Sequence, residues 1–426
     1  MQVIFLLAGA NKRFYPLNTD GHKAMVKLYG KPILQHVIQT LKDNSGLTEF
    51  IFTVSTNDTV IRNYFGDGSE IGVSIQYATL DNPDGQGAAL LKASDLINGP
   101  FMVVNPYHID KEGLFKKIMD FFIENKIDGV IPGIYEENIQ HYGAIELENG
   151  LMRGIVEKPE PGTEPSHYRA TSAYIFNPTF IEYLQNEPTD NHYSYESAIS
   201  KYVKDHVVKM FEIPKDTNVL TLKYPWHLLN ILSVVGSLYR GFISPTAKIA
   251  KSAIIGDDVY VDDGAVIHEG ACIKGKTYIG KNAMIGNYSL VRDSDIGENV
   301  HVGVYSDITR SIIMENTHSH GSGFIGDSII GGGCRLAYGF VTANKRLDRG
   351  MIHGYVNNKK ISISSDFGAI LGSNIKAGIN VSIMPGVTVG KDVVIGAGVI
   401  LYRNIEDNTQ VVYKQLQEQE ILKTNL

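Results

Sequence analysis

Cysteine is nearly missing from this chain of 426 residues, and tryptophan occurs once. Two cysteines, Cys272 and Cys334, can build neither a disulfide scaffold nor a CxxC zinc site, and such scarcity fits a reducing, cytoplasmic setting. Positive charge is also short. Against 46 Asp and Glu stand 39 Lys and Arg, a formal net charge of −7, which argues against a nucleic-acid groove and against an anionic membrane partner. No stretch approaches the ~20 apolar residues of a membrane span. The apolar start, Val3 to Ala8, has no preceding Lys or Arg and reads as a buried first strand rather than an export signal.

What the chain does have is a repeat of six. Ile243, Ile249, Ile255, Val261, Ile267, Ile273, Ile279, Ile285 and Val291 fall in strict step, and Leu371, Ala377, Ile383, Val389, Ile395 and Leu401 resume it. A period of six matches neither the helix repeat nor strand alternation. It fits a chain wound round a triangular prism, one short strand and one inward aliphatic per face, as in a parallel β-helix. The phase slips at Ile296 and Ile313, and 314–368 reads as irregular. Within it, HSHGSG (318–323) and TANKRLDRGMIHGYVNNKK (342–360) are expected as loops thrown out from the solenoid, natural places for a site or a subunit contact.

Residues 1 to about 222 instead alternate β-rich runs (Val3–Leu7, Phe50–Ser55, Val73–Tyr77, Phe101–Asn105, Gly129–Pro132) with amphipathic stretches such as Ile33–Asp43 and Leu114–Asn125. That order predicts βαβ units in an α/β fold. The expected organisation is 1–224 as a Rossmann-like mixed-sheet domain, 225–242 as a linker helix, 243–405 as the β-helix, and 406–426 as a polar tail. After the first strand, LLAGANKRF (6–14) reads as a small-residue turn into a helix, a place where backbone N–H groups can meet phosphate.

Five segments come in a telling order: LLAGANKRFYPLNTDGHKAMVKLYGKPIL (6–34), PDGQGAAL (83–90), FMVVNPYHID (101–110), YGAIELENGLMRGIVEKP (142–159) and LKYPWHLLN (222–230). With the six-residue repeat, they make the chain resemble the sugar-1-phosphate nucleotidyltransferases (nucleotide-sugar pyrophosphorylases), in particular the archaeal-type bifunctional enzymes with a C-terminal left-handed β-helix acetyltransferase domain. The resemblance covers nearly the whole chain. It implies that NTP and sugar 1-phosphate give NDP-sugar and pyrophosphate, with the sugar phosphate attacking the α-phosphorus in line. In such chemistry the protein chiefly positions groups and neutralises charge. It implies catalytic roles for Arg13 and Lys23, and nucleotide binding by Leu7, Ala8, Gly9, Lys12 and Gly85. It also implies sugar-phosphate binding by Gly143, Glu157 and Lys158. Its partners are a nucleotide or sugar phosphate and further copies of itself, a homo-oligomer expected as a trimer through the prism faces.

Departures from the family pattern cluster on one function. The phosphate loop, GGxGTR in the family, reads GANKR here, with Ala10 and Lys12 where glycines belong. Tyr107 and His227 stand where two aspartates would bind Mg²⁺, so the cofactor expected for the family has lost its ligands. Mg²⁺ prefers hard oxygens, a phenol is protonated near neutrality, and imidazole favours softer metals. Asp110 rescues that site only if the loop is rebuilt. Leu80 replaces a base-reading glutamine and Ser172 a glycine. In the C-terminal half the resemblance implies an acetyl-transfer site using CoA. His320 and Asn344 are its candidates, but Phe324 holds the tyrosine position, and Gly350 and His353 hold the two lysine positions. Two other readings of the histidines are a solvated coil crossing or subunit contact, and a transition-metal site of His318, His320 and His353. Three functions follow as alternatives: a pyrophosphorylase with a degenerate metal site, a catalytically weak nucleotide-sugar-binding regulatory or scaffold subunit, and a CoA-dependent acetyltransferase.

Overall fold

In a computed structural model the described residues are 1–9, 11–18, 22–81, 85–148, 150–171, 173–188, 194–217, 219–356 and 359–414. They form two compact units. The first comprises Met1–Lys12, Asp20–Val26 and Lys31–Leu222; the second comprises Arg13–Thr19, Lys27–Gly30 and Lys223–Leu426.

The first unit is built on a ten-stranded mixed sheet. Gln2–Leu6 lies between Glu49–Ser55 and Phe101–Val104, parallel to both, and Ser74–Leu80 extends that parallel edge. Val3, Ile4 and Phe5 are fully buried, as a strand covered on both faces requires. The sheet turns antiparallel at Tyr174–Phe176, which pairs with both Phe101–Val104 and Gly129–Tyr135. Beyond it lies the hairpin Gly143–Glu148/Leu151–Glu157. Helix Ile33–Ser45 buries Ile33, Leu34, Val37, Ile38 and Leu41, the stripe its spacing predicts, and closes on Gly46 at φ 69°, the left-handed turn that favours glycine.

The second unit carries helix His227–Gly236 and then three parallel sheets whose strands alternate in sequence, a three-sided β-helix. From Val261 onward the predicted aliphatics are buried inside the prism. On one face Ile243, Val261, Ile279, Ile296, Ile313, Ile330, Leu371 and Val389 stand in register. Burial of such a column, about 25 cal/mol per Å² of apolar surface, is what holds the coils together.

The irregularity expected over 314–368 is mostly a change of coil length. Tyr260 pairs with Tyr278, eighteen positions on, but Tyr278 pairs with Asp295, Asp295 with Ile312 and Ile312 with Ile329, each seventeen on. One corner is a residue shorter, so a strict count of six drifts while the winding continues. Buried Ser294, Ser311 and Ser328 occupy that corner. Ser311 N donates to Ser294 Oγ, Ser328 N to Ser311 Oγ, and Ala369 N to Ser328 Oγ, each at 3.1 Å. The hydroxyls thus supply the acceptors that a tighter turn leaves wanting. His318–Gly321 is therefore a strand, paired on both sides, and not the expected loop. The true excursion lies between Val341–Thr342 and Ile370–Leu371, where Ile352–Val356 and Lys359–Ser364 form an antiparallel hairpin. The winding also passes the expected limit at 405, since Gln410–Val411 pairs with Val394–Ile395. The expected polar tail lies outside the described residues from 415 onward.

Candidate functional site

Leu7 and Ala8 follow the first strand and are buried, Leu7 N donating to Thr53 O at 2.7 Å. Ala8 packs with Leu80 and Ala89, so the position expected to read a base presents an apolar floor with no hydrogen-bonding group. A Cβ on Gly9 would meet nothing within 4 Å, while Asn11 adopts φ 51°. Ala10 lies outside the described residues. The helix expected after this loop does not form. Lys12–Phe14 is a single 3-10 turn, and the first α-helix begins at Ile33; so short a turn has little macrodipole to offer an anion. Lys12 and Arg13 are exposed on it, Lys12 in the first unit and Arg13 in the second. Gly85 opens helix Gly85–Lys92 at φ 91°, a conformation that only glycine takes without strain.

The sugar-phosphate candidates do come together. Gly143 pairs across the hairpin with Glu157. A Cβ on Gly143 would stand 2.9 Å from Ile155 Cγ2 and 3.0 Å from Glu157 Oε2, so the glycine keeps the carboxylate's surroundings open. Lys158 follows at φ 49°, a turn that brings its Nζ to 3.3 Å from Glu157 Oε1. Its N–H donates to Tyr142 O at 3.0 Å. A carboxylate acceptor and an ammonium donor are thus held side by side on a rigid hairpin.

Arg169 was not legible in the sequence. It sits on strand Tyr168–Ala170 opposite Ala144, with its guanidinium 4.9 Å from the centre of the Tyr142 ring. A lone basic residue in a three-residue strand carries no pattern that marks it. Ser172, three residues on, lies outside the described residues.

Tyr107 follows strand Phe101–Val104 in a turn closed by His108 N donating to Asn105 O. Burial pushes its phenol above the ordinary value, opposed by the charge of Arg169, so the group is neutral near pH 7. Lys23 Nζ lies 5.1 Å from the Tyr107 ring centre and donates to Leu222 O at 2.7 Å. Asp110 does not rescue a metal site: it is buried, and its two oxygens accept Leu114 N at 2.7 Å and Phe115 N at 3.1 Å. Lying three residues before the N-cap Gly113, it gives the first two N–H groups of helix Leu114–Asn125 their acceptors, groups that no helical carbonyl can reach. His227, in the second unit, opens helix His227–Gly236, and its Nδ1 accepts Lys223 N at 3.0 Å. A neutral phenol beside an ammonium does not fit Mg²⁺, and among the described residues no group of three His, Cys, Asp or Glu is placed to hold a metal ion.

In the β-helix, the expected trio of His318, His320 and His353 is not assembled. The His318 ring stacks on His320 at 4.4 Å and lies tilted against His301 at 4.2 Å, whereas His353 lies on the hairpin. Burial and the neighbouring imidazoles lower the His318 and His301 pKa values. Asn344 Nδ2 donates to Asp327 Oδ2 at 2.5 Å, and Asp327 also receives Arg310 at 2.5 and 2.7 Å. The acetyl-transfer candidate is thus drawn into a corner brace, while His320 belongs to a strand of another face.

These features define a nucleotidyl-transferase domain joined to a parallel β-helix. The nucleotidyl transferase family model matches residues 2–223, and a GMPPB C-terminal domain model matches 239–306. The chain belongs to the nucleotidyl transferase family. It is 30% identical to the bifunctional protein GlmU of Methanocaldococcus jannaschii over 97% of this chain and 98% of that one. It is 28% identical to a bifunctional sugar-1-phosphate nucleotidylyltransferase/acetyltransferase of Sulfurisphaera tokodaii over 95% and 98%. The fold also matches a UTP-bound UGPase from Acinetobacter baumannii, with TM-score 0.50 and 19% identity over 56% of this chain and 94% of that one. No helix among the described residues is long and apolar enough to cross a membrane.

Proposed function

We propose that the first unit binds a nucleotide and a sugar phosphate, and that it joins them as NDP-sugar with release of pyrophosphate at a rate well below that of metal-assisted relatives. The observation that carries this reading is the juxtaposition of Gly143, Glu157 and Lys158 on one hairpin. Glu157 accepts from a sugar hydroxyl, Lys158 neutralises the sugar phosphate, and the bare Gly143 admits the sugar to the backbone. Lys23 handles the triphosphate, and Leu7, Ala8, Gly9, Lys12 and Gly85 border the nucleotide. The apolar floor of Ala8, Leu80 and Ala89 supports weak discrimination between bases.

Tyr107 and Asp110 favour a second reading, a binding subunit with negligible turnover. Metal stabilisation of phosphoryl transfer contributes several kcal/mol, and losing ~4 kcal/mol slows a reaction about a thousandfold. A thermal-shift panel of NTPs and NDP-sugars, with and without Mg²⁺, tests binding apart from turnover, because stabilisation follows ligand concentration over Kd. Absence of any shift refutes both readings. Turnover at ordinary enzyme rates, ~1–1000 per second, refutes the second. CoA belongs only to the acetyl-transfer alternative, which the engagement of Asn344 with Asp327 disfavours. Assembly as a trimer through the β-helix is part of the proposal. It is supported by the stacked Tyr288 and Tyr305, 61% and 60% exposed, and is tested by sedimentation.

A further inference from the structure

We infer that Arg169, together with Lys23, does the work of the divalent ion the family resemblance calls for, so that the first unit binds the phosphates of its ligand without metal. The inference rests on the proposed reading of the first unit and adds a phosphate-binding residue that none of its sequence motifs marks.

Three observations converge. First, Arg169 stands opposite Ala144, the neighbour of Gly143, and also opposite Ile134, which puts its strand beside the hairpin that carries Gly143 and Glu157. Second, the side chain is only 21% exposed, yet its Nε is buried without a hydrogen bond; the Glu136 carboxylate lies 3.5 Å away. A guanidinium has five donors in a planar fork suited to phosphate, and one facing Glu136 leaves the others to serve a ligand. A phosphate oxygen would satisfy a donor that is otherwise costly to bury. Third, Lys23 and Arg169 both act on Tyr107: the ammonium lies 5.1 Å from its ring centre, and the charge of Arg169 opposes the rise that burial gives the Tyr107 phenol, while it adds to the lowering that burial gives His108. Where the family resemblance calls for a metal-binding carboxylate there is instead a neutral phenol with an ammonium near its ring and within the field of a guanidinium. A divalent ion at Tyr107 meets a phenol and an ammonium in place of the carboxylate, whereas an anionic diphosphate meets the charges of Lys23 and Arg169.

Inorganic pyrophosphate is the suitable probe, since it carries neither base nor sugar. Calorimetric titration of the full-length protein in excess EDTA should show binding. Arg169→Gln should weaken it about tenfold or more, as expected for a lost charge-assisted contact, and Arg169→Lys should restore part of it. Arg153→Gln, which breaks an exposed pair with Glu148, should leave it unchanged. Nucleoside binding should be unaffected by Arg169→Gln, a separation that a purely structural role would not give. An absolute need for Mg²⁺ in the wild type, or unchanged pyrophosphate affinity in Arg169→Gln, overturns the inference. If Arg169→Gln does not fold, the wild type in EDTA and Arg169→Lys still decide. Nucleotide-sugar binding without pyrophosphate binding sinks this inference alone, while a wild type that binds no nucleotide or nucleotide sugar sinks the proposed function itself.

Discussion

Replacing Gly143 with alanine tests the sugar-phosphate corner at a single carbon. The new Cβ would lie 2.9 Å from Ile155 Cγ2 and 3.0 Å from Glu157 Oε2, so one of the two must move. Ile155 is held in the strand pairing with Ile145, whereas the Glu157 carboxylate is the end of a flexible side chain and gives way. Gly143 does not lie among the glycines with positive φ, so alanine meets no backbone strain. Its effect on stability should stay within ~1 kcal/mol, because reduced freedom of the unfolded chain offsets part of the crowding. Binding should suffer more. A hydrogen bond to a charged acceptor contributes about 1.5–3 kcal/mol, so a displaced Glu157 should weaken nucleotide-sugar affinity roughly tenfold to a hundredfold at 1.4 kcal/mol per decade. Calorimetry on the NDP-sugar that gives the largest thermal shift reads this directly. Affinity within threefold of wild type, with an unchanged melting temperature, would refute the assignment of Glu157 to the ligand.

Asp110→Ala should cost about 1–2 kcal/mol, as loss of an N-cap does, while leaving Mg²⁺ dependence untouched; a selective loss of metal response would restore Asp110 as a ligand. Ser311→Ala strips the acceptor from buried Ser328 N and should destabilise the β-helix by about 1–3 kcal/mol in urea titration, against no more than ~0.5 kcal/mol for an exposed serine. His108 is buried, and burial, helped by the charge of Arg169, lowers its pKa from 6.5 to about 4. The folded state therefore holds it neutral while the unfolded chain takes a proton. Its contribution is complete above pH 6.5 and is lost as pH falls towards 4, at about 1.4 kcal/mol per pH unit. The difference in stability between wild type and His108→Phe should narrow over that window, and a difference independent of pH would count against the burial argument.

The solenoid was legible because inward aliphatics are forced to recur wherever a coil closes. The count failed at Ile296 for an equally physical reason: a corner can lose one residue if a serine hydroxyl replaces the missing backbone acceptor, and Ser294, Ser311 and Ser328 do this. A fixed period of six treats that economy as disorder, so from sequence His318–Gly321 reads as a loop. In the first unit, the alternation of apolar runs and amphipathic stretches predicted the parallel edge of the sheet. Two strands of the antiparallel half, Tyr168–Ala170 and Tyr174–Phe176, are illegible because they are three residues each, too short to show a period.

The candidate site divides along the same line. Gly143, Glu157 and Lys158 are near neighbours through one hairpin, so local sequence was enough to group them. Arg169 reaches the same neighbourhood only through the pairing of its strand with Ala144 and Ile134, and no local pattern encodes that pairing. The metal question shows why the distinction matters. From sequence, Tyr107 marks only a loss, a ligand gone. In the fold the same phenol has Lys23 5.1 Å from its ring centre and feels the charge of Arg169, and Asp110 is committed to a helix end. Drift that merely erased a carboxylate would leave the surroundings tuned for a cation. Here the charges that act on the phenol are those of Lys23 and Arg169, the polarity that favours phosphate over magnesium. Restoring the carboxylate alone, as Tyr107→Asp, should therefore create an ion pair with Lys23 before it creates a metal site, and should lower pyrophosphate affinity in EDTA rather than confer Mg²⁺-dependent turnover. A Tyr107→Asp variant that gains turnover with Mg²⁺ would show that the cleft still carries its ancestral polarity.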